Sequence, residues 1–317
     1  MTIKPNIVHI GVDVSKKHLD LSPFDKGPRR IPNTPAGRRK LIRRIQALQS
    51  ETIVTCEASG GYEQALLEDL LDAEIPVARV NPNQVRYFVR SQGVGAKNDR
   101  IDAAMLSRFG EFRHGEGRLF LALKSEEGLA DLRGLLQRRS QLKAAIRQEK
   151  NRLDPSPCKL VASHIRSHIK YLEKSLAKIE GAMKEWEKEH PVYKELRKRL
   201  LSVKGIGRIT VLTLLAFMPE LGKVSDRRLS ALVGVAPYDR QSGDSQMQSK
   251  IAGGRVEVRR VMYMAALAAG RSNPILRAFK ERLVAQGKAK KLVLIAILRK
   301  LVVLANKIAA NPDFKPA

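Results

Sequence analysis

The spacing of apolar positions changes repeatedly along the first third of the chain. Ile7 to Val14 is almost continuous in apolar residues, the pattern of a central strand buried on both faces. His18 to Phe24 is a second strand-like run, with Ser15-Lys16-Lys17 as the turn between the two. Arg29 to Asn33 is short and contains Pro32, which suits an edge strand. Pro35 opens an amphipathic helix through about Leu48, with Leu41, Ile42, Ile45 and Leu48 inward. Thr52 to Ala58 repeats the buried-strand pattern, Tyr62 to Glu74 reads as a helix and Pro76 to Pro82 as a strand. A short helix begins at Asn83. Another opens within Lys97 to Ala103, with Asn98 as its N-cap and Ile101, Met105 and Leu106 on one face.

Three strands, then alternating helices and strands, predict an α/β domain of the ribonuclease-H type. Beyond residue 124 the pattern becomes helical. Glu126 to Arg152 and His164 to Leu201 are long and charged, broken by Asp154-Pro155-Ser156-Pro157. Leu172, Leu176, Ile179 and Met183 follow three- and four-residue spacing, as in a helical hairpin or coiled coil. A spacer or dimerisation arm is the expected use of such a segment, and its Lys- and Arg-rich face offers contact with nucleic acid. Residues 201–221 read as helix, Gly205-Ile206-Gly207 hairpin and helix. A helix around Arg228 to Leu232 precedes a polar loop over 239–251 and a helix carrying Arg255, Arg259 and Arg260. Lys291 to Ala309 is an apolar-periodic core helix, and Asn311 to Ala317 reads as a tail.

The acidic positions carry the first chemical signal. Asp13 interrupts an apolar strand, where an uncompensated buried carboxylate is costly, so it belongs at an open end of the sheet or on a cation. Glu57 ends the next buried strand. Asp99 and Asp102, three apart, project from one side of a helix. Two acids in a first helical turn also complement the macrodipole, so on their own they leave capping and metal binding both open. In a sheet of the predicted order the four acids meet at one edge. Four carboxylates around a point call for hard cations, Mg²⁺ or Mn²⁺. Two such ions about 4 Å apart serve phosphoryl transfer.

Two further stretches carry weaker signals. Lys204, Gly205, Gly207 and Arg208 match a helix-hairpin-helix, whose glycines let backbone amides approach a phosphate. A tight turn between packed helices has the same spacing. Ser242-Gly243, in a polar loop ahead of Arg255, Arg259 and Arg260, has the make-up of a nucleophile with phosphate-binding support. Spacing alone leaves an ordinary serine-rich loop as the commoner alternative.

Charge narrows the partner. The 317 residues hold 59 Lys and Arg against 32 Asp and Glu, a net +27. Such a balance points to a polyanion, because each neutralised phosphate releases counterions. No run of about 18 apolar residues suggests a membrane span, and Met1 to Pro5 has no signal-peptide core. Cys56 and Cys158 are the two cysteines, too few for a disulfide framework or a cysteine zinc site. The expectation is a reduced, cytoplasmic protein that meets nucleic acid.

Several marks occur together and in order. They are Gly11-Val12-Asp13-Val14-Ser15-Lys16, Glu57-Ala58-Ser59-Gly60-Gly61-Tyr62, Lys97 through Ala103, Val203 through Gly207, Gly234-Val235-Ala236-Pro237, Ser242-Gly243, and Ile251 through Gly254 leading to Arg259 through Tyr263. In these the chain resembles the transposases of insertion sequence family 110, which are bridge-RNA-guided recombinases. The resemblance implies a RuvC-like catalytic domain over 1–124, a helical coiled-coil linker over 125–200 and a mainly helical transposase domain over 201–317. It implies that Asp13, Glu57, Asp99 and Asp102 hold Mg²⁺ and that Ser242 forms a covalent phosphoserine with DNA. It further implies donor and target double-stranded DNA, a structured non-coding guide RNA, and a homodimer assembling to a tetramer whose protomers share composite sites; the expected place is the bacterial cytoplasm, at the nucleoid when active. The segment after Ser242-Gly243 is Asp244 to Ser249 rather than basic, which leaves Ser245 and Ser249 as alternatives to Ser242. An alternative function is a junction-resolving type of nuclease using water and the four acids. A nucleic-acid-binding protein without catalysis is a third.

Overall fold

The computed structural model describes residues 7–24, 29–93, 99–124, 128–154, 158–242, 245–251 and 253–314, with side chains for all of these except 99–101 and 237–250. The chain divides into two compact units, Met1–Lys124 and Ser125–Ala317.

In the first unit, β1 (Val8–Val14), β2 (His18–Ser22) and β3 (Arg30–Pro32) form an antiparallel meander. α1 (Pro35–Gln46), β4 (Thr52–Glu57), α2 (Gln64–Asp72) and β5 (Val77–Val80) follow. β4 runs parallel to β1 and β5 parallel to β4, in the order β3-β2-β1-β4-β5. This is the mixed sheet that the apolar pattern predicts. Alternation puts Ile10, Val12, Leu19, Leu21, Ile31 and Val54 on one face. There Leu41 and Ile45 of α1 and Leu66 and Leu70 of α2 close over them. Thr34 caps α1 by accepting from the Gly37 amide, and Pro35 stands in its first turn, where a missing N–H costs nothing. α3 (Pro82–Ser91) and α4 (Asp99–Gly115) supply the apolar cover of the other face, with Leu106 and Phe109 of α4 against Ala78, Val80 and Val85. Lys97 and Asn98, the expected cap of α4, lie outside the described residues.

The second unit starts with an antiparallel helical hairpin of α5 (Leu129–Leu153) and α6 (Lys159–Glu189). Leu142, Ile146 and Leu172 fill the seam, and Arg139–Glu180 and Lys150–Glu173 ion pairs flank it. The apolar pattern predicts one helix from His164 to Leu201. Instead α6 begins at Lys159 and stops at Glu189, because Pro191 has no N–H to continue the ladder. A 3₁₀ turn, Pro191–Tyr193, leads into α7 (Lys194–Leu201). α8 (Arg208–Phe217) and α9 (Asp226–Val233) follow.

The expected polar loop over 239–251 is a correction: β6 (Pro237–Ser242) and β7 (Ser245–Ile251) pair as a two-stranded antiparallel ribbon. Apolar alternation does not mark it, since few of its residues are apolar and backbone pairing supplies the ladder. α10 (Val256–Ser272), α11 (Pro274–Ala285) and α12 (Lys290–Ala310) complete the unit. Leu212, Met262, Ala266, Leu298 and Leu301 form its core, joined by Leu132, Met183 and Trp186 from the base of the hairpin. Phe314, in the expected tail, also packs on this core. Among the described residues no helix is long and apolar enough to cross a membrane.

Candidate active site

The sheet register places the first two acids. Val12 of β1 pairs with Cys56 of the parallel β4, so Asp13 and Glu57 follow as neighbours at the carboxyl ends of both strands. Residues opposite one another in a ladder share a face. The row continues to Asp20, which pairs with Asp13, and to Arg30, which pairs with Asp20. Asp13 and Glu57 are both half-buried.

Helix α4 crosses the same face, and its direction is set by glycine. A Cβ on Gly11 would lie 1.9 Å from the Ala103 carbonyl oxygen and 2.5 Å from the Ser107 amide nitrogen. A Cβ on Gly110 would lie 2.2 Å from Thr55 Oγ1. Gly11 therefore lets helix and sheet backbones meet, and Gly110 makes room for the Thr55 side chain. Further along α4, Ser107 Oγ donates to the His9 carbonyl at 2.7 Å, and the His114 ring lies 5.2 Å from the His9 ring. As α4 advances from Ala103 to His114, its contacts on β1 retreat from Gly11 to His9. The helix thus runs antiparallel to β1, and its first turn, with Asp99 and Asp102, points toward the end that carries Asp13 and Glu57. Asp102 is half-buried, and the Asp99 side chain lies outside the described set.

The donor chemistry at this edge suits a hard cation. Cys56, next to Glu57, is fully buried, and its thiol is pushed up to about 12 by burial and then by the Glu63 carboxylate, against the opposing effect of Arg79. Its side chain lies with Val12 on the opposite face of the sheet, so the ligands on offer at this edge are carboxylate oxygens. Among the described residues no three His, Cys, Asp or Glu side chains already stand close enough to share an ion.

The edge has supports that no local motif reveals. Glu63 is completely buried. Its carboxylate accepts from the Ser59 amide at 3.1 Å and the Gly61 amide at 2.9 Å, and it pairs with Arg79 at 2.8 Å. It thereby holds the loop that leaves Glu57. Asn33 Nδ2 donates to the carbonyls of Ser15 and Tyr62, at 3.0 and 3.4 Å, joining the loops that follow β1 and β4. Arg30 grips Asp20 through two hydrogen bonds, at 2.8 and 3.1 Å, which offsets a like charge beside Asp13. The pairing of an acid on one strand with an arginine on the next is the only one of these legible without the fold.

The second unit treats its candidates differently. Ser242 ends β6, opposite Ser245 of β7, at the closing end of the ribbon. Gly243 and Asp244 lie outside the described residues, as do the side chains of Ser242, Ser245 and Ser249. Gly205 adopts φ +106°, and a Cβ there would meet Ala269 of α10 at 2.4 Å. Its bareness is thus required by helix packing. Gly207 has open space around it and caps α8, and Lys204 is exposed beside it. Arg208 is paired with Glu187 at the end of α6, which also holds Arg197. Arg255 is gripped by Glu220 through two 2.6 Å bonds and donates to the Phe217 carbonyl. Arg259 donates to the Gly253 carbonyl, and Arg260 reaches Ser140 Oγ at 2.7 Å. The glycine marks Gly234 and Gly254 are a packing pair: a Cβ on Gly254 would lie 2.2 Å from the Gly234 amide nitrogen.

Two family models match the chain. A family model for DEDD transposases of insertion sequence family 110 matches residues 10–155. A second, for transposases of the IS116/IS110/IS902 family, matches 197–281. Pilin gene-inverting proteins of Moraxella lacunata and Moraxella bovis are each 27% identical over 310 residues, covering 95% of this chain and 95% of theirs. Among solved structures, T. thermophilus RuvC in complex with a Holliday junction substrate aligns at 14% identity over 36% of this chain and 99% of its own, with a TM-score of 0.29. That likeness is too loose to argue from.

Proposed function

Because the chain belongs to the transposases of insertion sequence family 110, DNA-acting enzymes, we propose that it is an RNA-guided recombinase that cuts and rejoins DNA through a covalent serine bond. The observation that carries the reading is the register of Asp13 beside Glu57, with the first turn of α4 aimed at the same edge. In this reading Asp13, Glu57, Asp99 and Asp102 hold Mg²⁺, which when bound neutralises charge at the phosphate and steadies the leaving oxygen. Ser242 Oγ attacks the phosphorus and a P–O bond to deoxyribose breaks. The serine proton passes to the leaving oxygen, and rejoining reverses the exchange with a new strand end.

A dimer or tetramer with composite sites, which the family resemblance implies, is part of the proposal. Lys204, Arg208, Arg255, Arg259 and Arg260 form the proposed contact with donor and target duplexes. For Arg208, Arg255 and Arg259 that contact is made by helices whose packing the same arginines hold together. Base pairing with a guide RNA supplies sequence choice, while the basic chain supplies affinity for backbone phosphate. The gene-inverting relatives support exchange over simple cutting, since an inversion ends in rejoined DNA.

The test is incubation with Mg²⁺, labelled donor and target DNA, and RNA transcribed from the sequence flanking the gene. Denaturing electrophoresis should show DNA linked to protein. Loss of either Asp13 or Ser242 to Ala should lower the adduct by about 10³-fold or more. An adduct that persists in Ser242→Ala moves the nucleophile to another residue. Cleavage with no adduct that survives Ser242→Ala establishes the water-using nuclease instead.

A further inference from the structure

Helices α3 and α4 carry an aromatic ladder that runs from the core to the surface. Phe109 is buried; Phe88 packs on it at 5.4 Å edge-on, and Phe112 packs on Phe88 at 5.5 Å with planes 31° apart. Phe112 is the outermost of the three, at 50% exposure. Tyr87, next to Phe88 in sequence, is 69% exposed. Scattered exposed apolar residues need no explanation, but a contiguous ladder with an open last ring does. Its surroundings are cationic. Arg108 is exposed one helical turn before Phe112, and Arg86 and Arg90 are exposed on α3 beside Tyr87. Glu111 is the acid among them, and Arg113 is paired with Glu116 at 3.8 Å. Open aromatic faces flanked by arginine recognise the planar faces of unpaired bases and the phosphates that join them. Paired bases in a duplex keep their faces covered.

We propose that Phe112 and Tyr87, with Arg86, Arg90 and Arg108, form a stacking platform for unpaired bases of a DNA strand. The platform rests on the strand-exchange reading above, because α4 also carries Asp102. Phe112 lies ten residues further along, about 15 Å by helical rise. A strand held at the carboxylate edge and lying along α4 reaches it. That continuity is why the occupant is the processed DNA strand and not a separate RNA.

Fluorescence anisotropy on the full chain tests this, with a labelled single strand of about 16 nucleotides, the same sequence as duplex, and the same sequence as RNA. Phe112→Ala should weaken binding of the DNA single strand about tenfold, Tyr87→Ala should weaken it in the same direction, and Phe112→Trp should retain it. Duplex affinity should stay unchanged in all three. Unchanged single-strand affinity in Phe112→Ala overturns the platform alone. Equal loss on single strand and duplex overturns it too, as does loss confined to RNA. Wild-type protein that binds no DNA in either form overturns the strand-exchange reading and the platform together.

Discussion

The two units use the same residue types for opposite ends. The first carries 20 Lys and Arg against 14 Asp and Glu, a net +6; the second carries 39 against 18, a net +21. The less basic unit sets Asp13 and Glu57 side by side at the ends of adjacent strands, and the more basic unit ties several of its arginines into its own scaffold. Arg255 is gripped by Glu220, and Arg197 and Arg208 by Glu187. Net charge therefore reports affinity for a polyanion without saying which cations deliver it. Glycines teach the same lesson. Gly11 in the first unit and Gly205, Gly234 and Gly254 in the second are each bare because a backbone or helix approaches within van der Waals distance. Several marks of the family are in this sense marks of packing.

The largest effect should come from the glycines. Gly11→Ala forces α4 off β1 and should cost about 3 kcal/mol, read as a lower denaturation midpoint with faster hydrogen exchange in β1 and α4. Gly254→Ala should do the same around α9 and α10, at a position with φ +72° that already resists a side chain. If either substitution leaves its unit unchanged, close approach is not why the glycine is there.

Next comes the arginine contrast. Arg255→Ala leaves the Glu220 carboxylate buried and uncompensated and should destabilise the protein by about 3 kcal/mol. Lys204→Ala should leave stability alone and lower the salt dependence of DNA binding by about one unit of slope. If Arg255→Ala leaves stability intact, the scaffold role of its pair with Glu220 is wrong.

The smallest effect is a pH dependence in the first unit. Burial, reinforced by His114, holds His9 below the ordinary histidine range, with Glu111 opposing. Its folded value lies below its unfolded one, so the neutral ring contributes stability that is complete above about pH 6.5. That stability is lost as pH falls toward the folded value. His9→Gln should flatten the fall in midpoint between mildly alkaline and mildly acidic buffer, and an unflattened curve removes His9 as its source.

How much of this is legible in sequence follows from the range of the interactions. The sheet order follows from strands that are apolar runs and from the spacing between them. Asp13 stands out because it interrupts such a run, and Glu57 because it ends one. The helical hairpin shows in Leu172 and Met183, although the early stop of α6 depends on Pro191. The β6–β7 ribbon does not show, because residues 238–250 lack an apolar face that alternates. Glu63 and Asn33 are illegible for another reason: their worth lies in bonds to loops that the fold brings together, such as Asn33 to Tyr62 across 29 residues. Nor does sequence distinguish Arg255 from Lys204, since an arginine bound for Glu220 and a lysine bound for solvent are both simply basic.

The proposed ion site shared by β1, β4 and α4 is tested most directly by a Mn²⁺ titration followed by electron paramagnetic resonance. Wild-type protein should take up the ion, and Asp13→Asn and Glu57→Gln should each lose that uptake while keeping wild-type denaturation midpoints. Uptake equal to wild type in both variants would contradict the shared site.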